Sequence, residues 1–260
     1  MDLQLNGRVV IVSGGAKGIG AAIVRTLAHE GAIPVILDRD AAAATSLESD
    51  LQKSGANSFT VVADLNNSEN CRAAIDRTLQ KFGLLDALVN NAGINDGVGL
   101  ENGNPEAFVE SLRRNLFHYY SLAHFALPAL KASHGAIVNI ASKTALTGQG
   151  GTSGYVAAKG GVLALTREWA AELLAYEIRV NAVVPAEVMT PLYRQWLNTF
   201  PSPDEKLKAV VSKIPFAKRM TTAEEIASMV VYLISKQASH MTGQHIFVDG
   251  GYVHLDRALT

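Results

Sequence analysis

The chain is expected to fold as one α/β domain, doubly wound, with a parallel sheet of about seven strands and helices on both faces. Three observations predict it. Short β-branched runs that are apolar almost throughout, such as Arg8 to Ser13, suit strands buried on both sides. These runs alternate with helical stretches at intervals of about 25 to 40 residues, which calls for right-handed βαβ crossovers. The first strand-to-helix junction is also a glycine turn, Gly14-Gly15-Ala16-Lys17-Gly18-Ile19-Gly20.

The elements follow in order. Arg8 to Ser13 is a strand, and the glycine turn leads into a helix from Ala21 to Glu30, closed by Gly31 where a helix end favours a left-handed residue. Ile33 to Leu37 is a second buried strand, ending at Asp38. Ala41 to Lys53 reads as helix, Ser58 to Ala63 as strand, Ser68 to Phe82 as helix and Leu85 to Val89 as strand. A long helical pattern covers Pro105 to Lys131, and Pro128 is expected to break it near its end. Ala136 to Ala141 is a strand, Gly154 to Ala175 a helix, and Ile178 to Val184 a strand stopped by Pro185. The mixed polar segment from Pro191 to Ile214 suits short helices forming a flap. Thr222 to Ser235 is helical, and His245 to Val248 is the last strand before Asp249-Gly250-Gly251.

Composition narrows the function classes. Hydrophobic residues make up 48% and charged residues 18%, with a net charge of −1. This is an ordinary globular profile without the basic footprint that nucleic acid or an anionic membrane requires. The single cysteine, Cys71, excludes an internal disulfide and reads as a structural thiol. His118, His124, His134, His240 and His254 lack metal-ligand spacing, so no metal is expected, and His118 reads as a packing or interface residue. The N-terminus is acidic and short of apolar residues, and no apolar run reaches the ~18 residues of a membrane span. The cytoplasm is the expected compartment.

Two features carry chemistry. Tyr155 and Lys159 are four apart in a helical stretch and share one helix face. A phenol ordinarily loses its proton near pH 10, and an ammonium one turn away draws that pKa toward the working range. Ser142, thirteen residues before Tyr155, can offer a hydroxyl to the same oxygen. Such a pair also arises by chance on a solvated face, so its weight depends on what accompanies it. The second feature is the glycine turn, which sits where a dinucleotide pyrophosphate meets the N–H groups of a helix start in a Rossmann-type fold. Asp38 lies 18 residues past Gly20, at the end of the second strand, where a carboxylate accepts from the adenosine ribose hydroxyls. It would repel the 2′-phosphate of NADP, so NAD is the preferred cofactor. Lys17 and Arg39 point the other way, because either could pair with that phosphate.

Together these motifs resemble the classical short-chain dehydrogenase/reductase family across essentially the whole chain. The match runs through Ser13 to Gly20, Asp64-Leu65, Asn90-Asn91-Ala92-Gly93, Asn115, Ser142, Tyr155 with Lys159, Pro185 with Thr190, and Val248-Asp249-Gly250-Gly251. The resemblance implies a cofactor half to about residue 135, a catalytic and substrate half from about 136, and a flap over about 189–215. It implies that Gly14, Gly18 and Gly20 admit the pyrophosphate, with Lys17 and Ile19 in the same loop. Asp64 and Leu65 would flank the adenine, Asn91 would line the ribose side, and Asn90 would tie its strand to the neighbours. Tyr155 would be the general acid/base, and Lys159 would hold the nicotinamide ribose and lower the tyrosine pKa. Ser142 would polarise the substrate oxygen, Asn115 would hold a water that continues the proton path, and Val188 and Thr190 would contact the carboxamide. Pro185-Ala186 stands where the family has Pro-Gly, which stiffens that turn.

Within the family, the rim stretches around Asn95, Ser142 to Gly150, Val184 to Arg194 and Val253 to Leu259 are similar to those of bacterial L-fucose dehydrogenases, which oxidise a pyranose to its lactone. A sugar needs convergent donors and acceptors. Gln149, Glu187, Asn95, Asp96 and Arg194 are the candidate contacts, and each could equally be a solvated loop side chain. L-fucose or a similarly configured aldose such as D-arabinose is the expected substrate. A 3-oxoacyl or deoxy-sugar-acid reductase is the second enzyme reading, and a nucleotide-sensing binding protein is the reading without turnover. The family resemblance also implies a homotetramer built on the helix from Asn104 onward and the helix carrying Tyr155, with the tail from Tyr252 to Thr260 crossing to a neighbour.

Overall fold

The structure, a computed structural model, describes residues 1–256. Its strands are β1 (Val9–Ser13), β2 (Ile33–Asp38), β3 (Phe59–Val62), β4 (Ala87–Asn90), β5 (Ala136–Ile140), β6 (Arg179–Pro185) and β7 (His245–Val248). They form one sheet in the order β3-β2-β1-β4-β5-β6-β7, parallel at every pairing. The helices are α1 (Gly18–His29), α2 (Ala41–Lys53), α3 (Ser68–Phe82), α4 (Pro105–Leu112), α5 (His118–Ser133), α6 (Thr144–Thr147), α7 (Ser153–Glu172), α8 (Pro191–Leu197), α9 (Pro203–Val211) and α10 (Ala223–Ile234).

Side-chain alternation on the strands explains the two helical layers. Val10 and Val12 of β1 pack with Ile23 and Leu27 of α1 and with Ile226 and Val230 of α10. Val9 and Ile11 face the other way, toward Ile75 of α3, Leu122 and Leu130 of α5 and Val162 and Trp169 of α7. Each such side chain, withdrawn from water on both faces of the sheet, contributes about 1.5–3 kcal/mol. The order reverses between β1 and β4, and the crevice beyond the carboxyl ends of those strands is where a doubly wound sheet takes its ligand. At the opposite end of β6, the Arg179 guanidinium donates to the carbonyls of Leu233 (2.6 Å), Ile234 (2.9 Å), Ser235 (3.2 Å) and Ala238 (3.1 Å), closing the C-terminus of α10.

Several boundaries differ from the sequence expectation. The first helix begins at Gly18, three residues early, because the glycine turn supplies its opening residues. The long helix is two helices, α4 and α5, joined by a π turn over Arg113–Phe117. Pro128 lies inside α5 and does not end it. The helix runs on to Ser133 and stops at His134 in the left-handed region, since packing on α3 and the sheet outweighs one missing N–H. The short helix α6 was not foreseen. No helix among the described residues is long and apolar enough to cross a membrane. The expected inter-subunit tail falls partly on residues 257–260, outside those described.

Candidate active site

Ser142 follows the end of β5 by two residues, and the first turn of α7 brings Tyr155 beside it. Ser142 Oγ accepts from Thr144 N (3.3 Å) and from Thr144 Oγ1 (3.0 Å), which fixes the hydroxyl. The Tyr155 phenol is hydrogen-bonded to Ser142. Lys159, one turn along α7, is 3% exposed and donates to Tyr119 Oη (2.9 Å) and to the Ile140 carbonyl (2.8 Å). Its Nζ stands 5.8 Å from the centre of the Tyr155 ring. The largest influence on the tyrosine here is burial, not Lys159. Burial pushes the phenol up, only partly offset by the bond to Ser142, and pushes Lys159 down to about 7. Desolvation disfavours both charged forms, and a lysine drawn toward neutrality offers the phenol little positive charge.

That lysine has a measurable consequence. Between about 7 and its ordinary 10.5, Lys159 binds fewer protons folded than unfolded. Its contribution to stability therefore rises with pH across that window, and its cost is fully present below it. The Tm of the cofactor-free protein is expected to climb from pH 7 toward pH 9.5 relative to Lys159→Met; parallel Tm–pH curves for the two proteins would refute this.

Asn115 sits within the π turn, fully buried. Its Oδ1 accepts from Ile94 N (2.7 Å) and its Nδ2 donates to the Ser111 carbonyl (2.9 Å), so the side chain is committed to backbone. A Cβ on Gly93 would stand 3.0 Å from Asn115 Oδ1 and 3.5 Å from Lys159 Nζ. Glycine thus keeps the space between these two residues open. His118, one turn on, is buried, bonded through Nε2 to the Arg114 carbonyl at 3.0 Å, and held by burial at about 4. Cys71 is also buried, its thiol pushed up to about 12, as a structural thiol would be.

The glycine turn makes a cradle that fits a dinucleotide. Gly14 and Gly18 have φ of 63° and 53°, and a Cβ on Gly20 would lie 2.0 Å from the Gly14 carbonyl oxygen. Lys17 at the helix start gives no side-chain cap, so the first-turn N–H groups of Gly18, Ile19 and Gly20 face outward. By contrast α2, α3, α4, α8 and α10 are capped by Asp40, Asn67, Asn104, Thr190 and Thr222. Asp38 is pinned beside the turn, accepting from Ala16 N and Asp40 N at 3.0 Å each. Lys17 is paired with Asp40 at 2.5 Å rather than left free for a phosphate, and Arg39 is exposed. Asn91 holds the carbonyls of Ser13 and Gly14 through Nδ2 (3.0 Å each), so its side chain shapes the turn. Asn90 donates to Asn139 of β5 (3.0 Å). Asp64 and Leu65 leave the end of β3, with Asp64 Oδ1 accepting from Asn66 N (3.1 Å). Thr190 meets the turn from the other side, its Cγ2 3.2 Å from where a Gly18 Cβ would be, while Val188 is buried and bridged to Thr221.

The rim differs most from the sequence reading. Glu187 is ion-paired with Lys143, both largely enclosed, and the Lys143 ammonium lies 3.6 Å from the centre of the Tyr252 ring. Tyr193 is hydrogen-bonded to Glu187, and burial with that carboxylate raises its pKa far above the ordinary value. Asp96 Oδ1 accepts from Ser111 Oγ at 2.8 Å, and its buried Oδ2 makes no hydrogen bond but lies 3.9 Å from the Arg114 guanidinium. Gln149, Asn95 and Arg194 are exposed, Asn95 closing a small turn onto Gly97 N (3.4 Å). The sequence reading missed Lys143, Thr144, Tyr119, Tyr193 and Tyr252. Tyr119 had a local signal, four residues after Asn115, on the same helical side; Lys143 had only its place next to Ser142.

A family model described as enoyl-(acyl carrier protein) reductase matches residues 14–253. An L-fucose dehydrogenase of Bos taurus is 35% identical over 252 residues, 96% of this chain and 91% of that protein. A 3-oxoacyl-[acyl-carrier-protein] reductase of Thermotoga maritima is 32% identical over 96% of this chain and all of its own length. The solved structure of the Cj0485 dehydrogenase superposes with a TM-score of 0.94 at 45% identity, covering 100% of this chain and 99% of that one. By matched length, fold and the ordered motifs from Gly14 to Gly251, the chain belongs to the classical short-chain dehydrogenase/reductase family of oxidoreductases.

Proposed function

We propose that the protein oxidises the anomeric carbon of an aldose, L-fucose or a similarly configured sugar such as D-arabinose, to the lactone, with NAD as acceptor. The observation that carries this reading is the polar cluster that starts at the residue after Ser142, where Lys143 pairs with Glu187 and Glu187 is bonded to Tyr193. The similarity to L-fucose dehydrogenase over 96% of the chain supports it.

When bound, the nicotinamide supplies the hydride chemistry. Gly14, Lys17, Gly18, Ile19 and Gly20 would hold the pyrophosphate, Asp38 the adenosine ribose, Asp64, Leu65 and Asn91 the adenosine side, and Val188 with Thr190 the carboxamide. Ser142, fixed by Thr144, orients the substrate hydroxyl. Tyr155 would take the hydroxyl proton, and Lys159, steadied by Tyr119 and the Ile140 carbonyl, would hold the nicotinamide ribose and pass the proton on. The space kept open by Gly93 would admit a relay water between Lys159 and Asn115. Orientation and a preset polar environment are the protein's share of the catalysis.

NAD preference rests on the fixed Asp38 carboxylate and on Lys17 being occupied by Asp40. A homotetramer belongs to the same reading, supported by Val109 on α4, Phe117 in the π turn and Tyr120 on α5, all exposed. The decisive assay is kcat/KM for a panel of aldoses at pH ~8 to 9, where more of the phenol is ionised, with each nicotinamide cofactor in turn. Turnover of L-fucose with at least a severalfold advantage for NAD is the expected result. Inactivity on every aldose, with reduction of 3-oxoacyl thioesters instead, would favour the acyl reductase, a reading in line with the similarity to a 3-oxoacyl-[acyl-carrier-protein] reductase.

A further inference from the structure

Lys143 lies outside the motifs that define the family, yet it is 6% exposed, nearly as enclosed as Lys159. It follows Ser142 directly, and its backbone N–H donates to the Pro185 carbonyl at 3.0 Å. That bond, with Ala141 N to the Val183 carbonyl at 2.9 Å, already ties the ends of β5 and β6 together. The side chain is therefore not needed for the tie. Instead the ammonium pairs with Glu187, which is also bonded to the Tyr193 phenol, and lies 3.6 Å from the centre of the Tyr252 ring. The pair is largely enclosed, with side-chain exposures of 8% and 15%.

An enclosed ion pair costs about as much in lost hydration as its attraction returns, so stability alone does not explain this one. Its chemistry suits recognition. An ammonium with three N–H donors and a carboxylate with two acceptor oxygens sit next to each other, and Lys143 is the residue that follows Ser142. Adjacent hydroxyls satisfy both groups at once, whereas a lone alcohol satisfies neither.

We propose that Lys143, held in place by Glu187, is a specificity-determining residue that binds hydroxyls adjacent to the reacting carbon and selects polyhydroxylated over mono-hydroxylated substrates. The assignment rests on the oxidoreductase reading above, though not on which sugar is used.

The test compares kcat/KM within two substrate pairs: an aldopyranose against its 2-deoxy analogue, and cis-1,2-cyclohexanediol against cyclohexanol. The variant is Lys143→Met combined with Glu187→Gln, which removes both charges so that neither is left buried alone. Wild type is expected to prefer the hydroxylated member of each pair it oxidises. The double variant should reduce that preference on the order of 10- to 100-fold, the range for losing a charge-assisted hydrogen bond to substrate. Structural damage would lower both members together and leave the ratio unchanged. An unchanged ratio, or a wild type without preference, overturns the assignment. Activity on the cyclohexanols but on no aldose would defeat the sugar reading alone, and the diol ratio would still decide Lys143. A wild type inactive on all four compounds overturns both.

Discussion

Tyr155→Phe is expected to lower kcat by about three orders of magnitude, within the range contributed by a positioned general acid/base. The change removes one oxygen and keeps the ring that packs at the start of α7. Ser142 loses its phenol partner but remains fixed by Thr144 N and Oγ1, so the substrate hydroxyl can still be oriented. What disappears, on the proposed mechanism, is the proton acceptor. The interaction lost is one made in the transition state, so kcat and kcat/KM should fall together. Circular dichroism should report an unchanged fold. Residual kcat above a tenth of wild type would remove Tyr155 from the proton transfer and return the Tyr–Lys spacing to coincidence.

The largest effect on stability is expected at the other end of the sheet. Arg179→Met retains the side-chain stem but removes the donors to four carbonyls at the end of α10. Charge-assisted hydrogen bonds and the stranding of buried carbonyls together place the loss at about 3 kcal/mol. That corresponds to a fall in Tm of roughly 10 °C for a domain of this size. Arg179 opens β6, whereas Ser142 and Thr190 lie beyond the carboxyl ends of the strands, so kcat of the folded variant should match wild type. A Tm within 2 °C of wild type, on the scale expected for a change of less than about 1 kcal/mol, would mean that solvent caps those carbonyls as well as the guanidinium does.

Local pattern made much of this legible in the sequence. α2, α3 and β7 match their expected bounds to the residue, because alternation and capping residues such as Asp40 and Asn67 are written within a few positions of the element they define. Spacing along one helix and the motifs around it singled out Tyr155, Lys159 and Ser142, and the structure bonds Tyr155 to Ser142 and sets Lys159 Nζ 5.8 Å from the tyrosine ring centre. The π turn was invisible because helical apolar spacing continues on both sides of it, and the continuity of α5 through Pro128 depends on packing that no local rule contains. The surroundings of Asp96 were hidden for a related reason. A charged residue on a loop looks solvated until Ser111, fifteen positions away, is brought against it. Lys143 and Glu187 are separated by 44 residues, and only the crossover that lays β6 beside β5 makes them neighbours.

The π turn also settles a problem of phase. Each residue advances an α-helix by about 100°, so two faces of one unbroken helix keep a fixed angle between them. Here α4 must turn Ser111 toward Gly154 of α7, where a Cβ would come within 2.6 Å, while α5 must press Tyr119, Leu122, Ala126 and Leu130 onto the sheet. The wider turn at Arg113–Phe117 lets the two helices take different angular settings, like two gears on one shaft joined by a slipped tooth. Asn115 stands at the slip, aimed inward by neither helix alone.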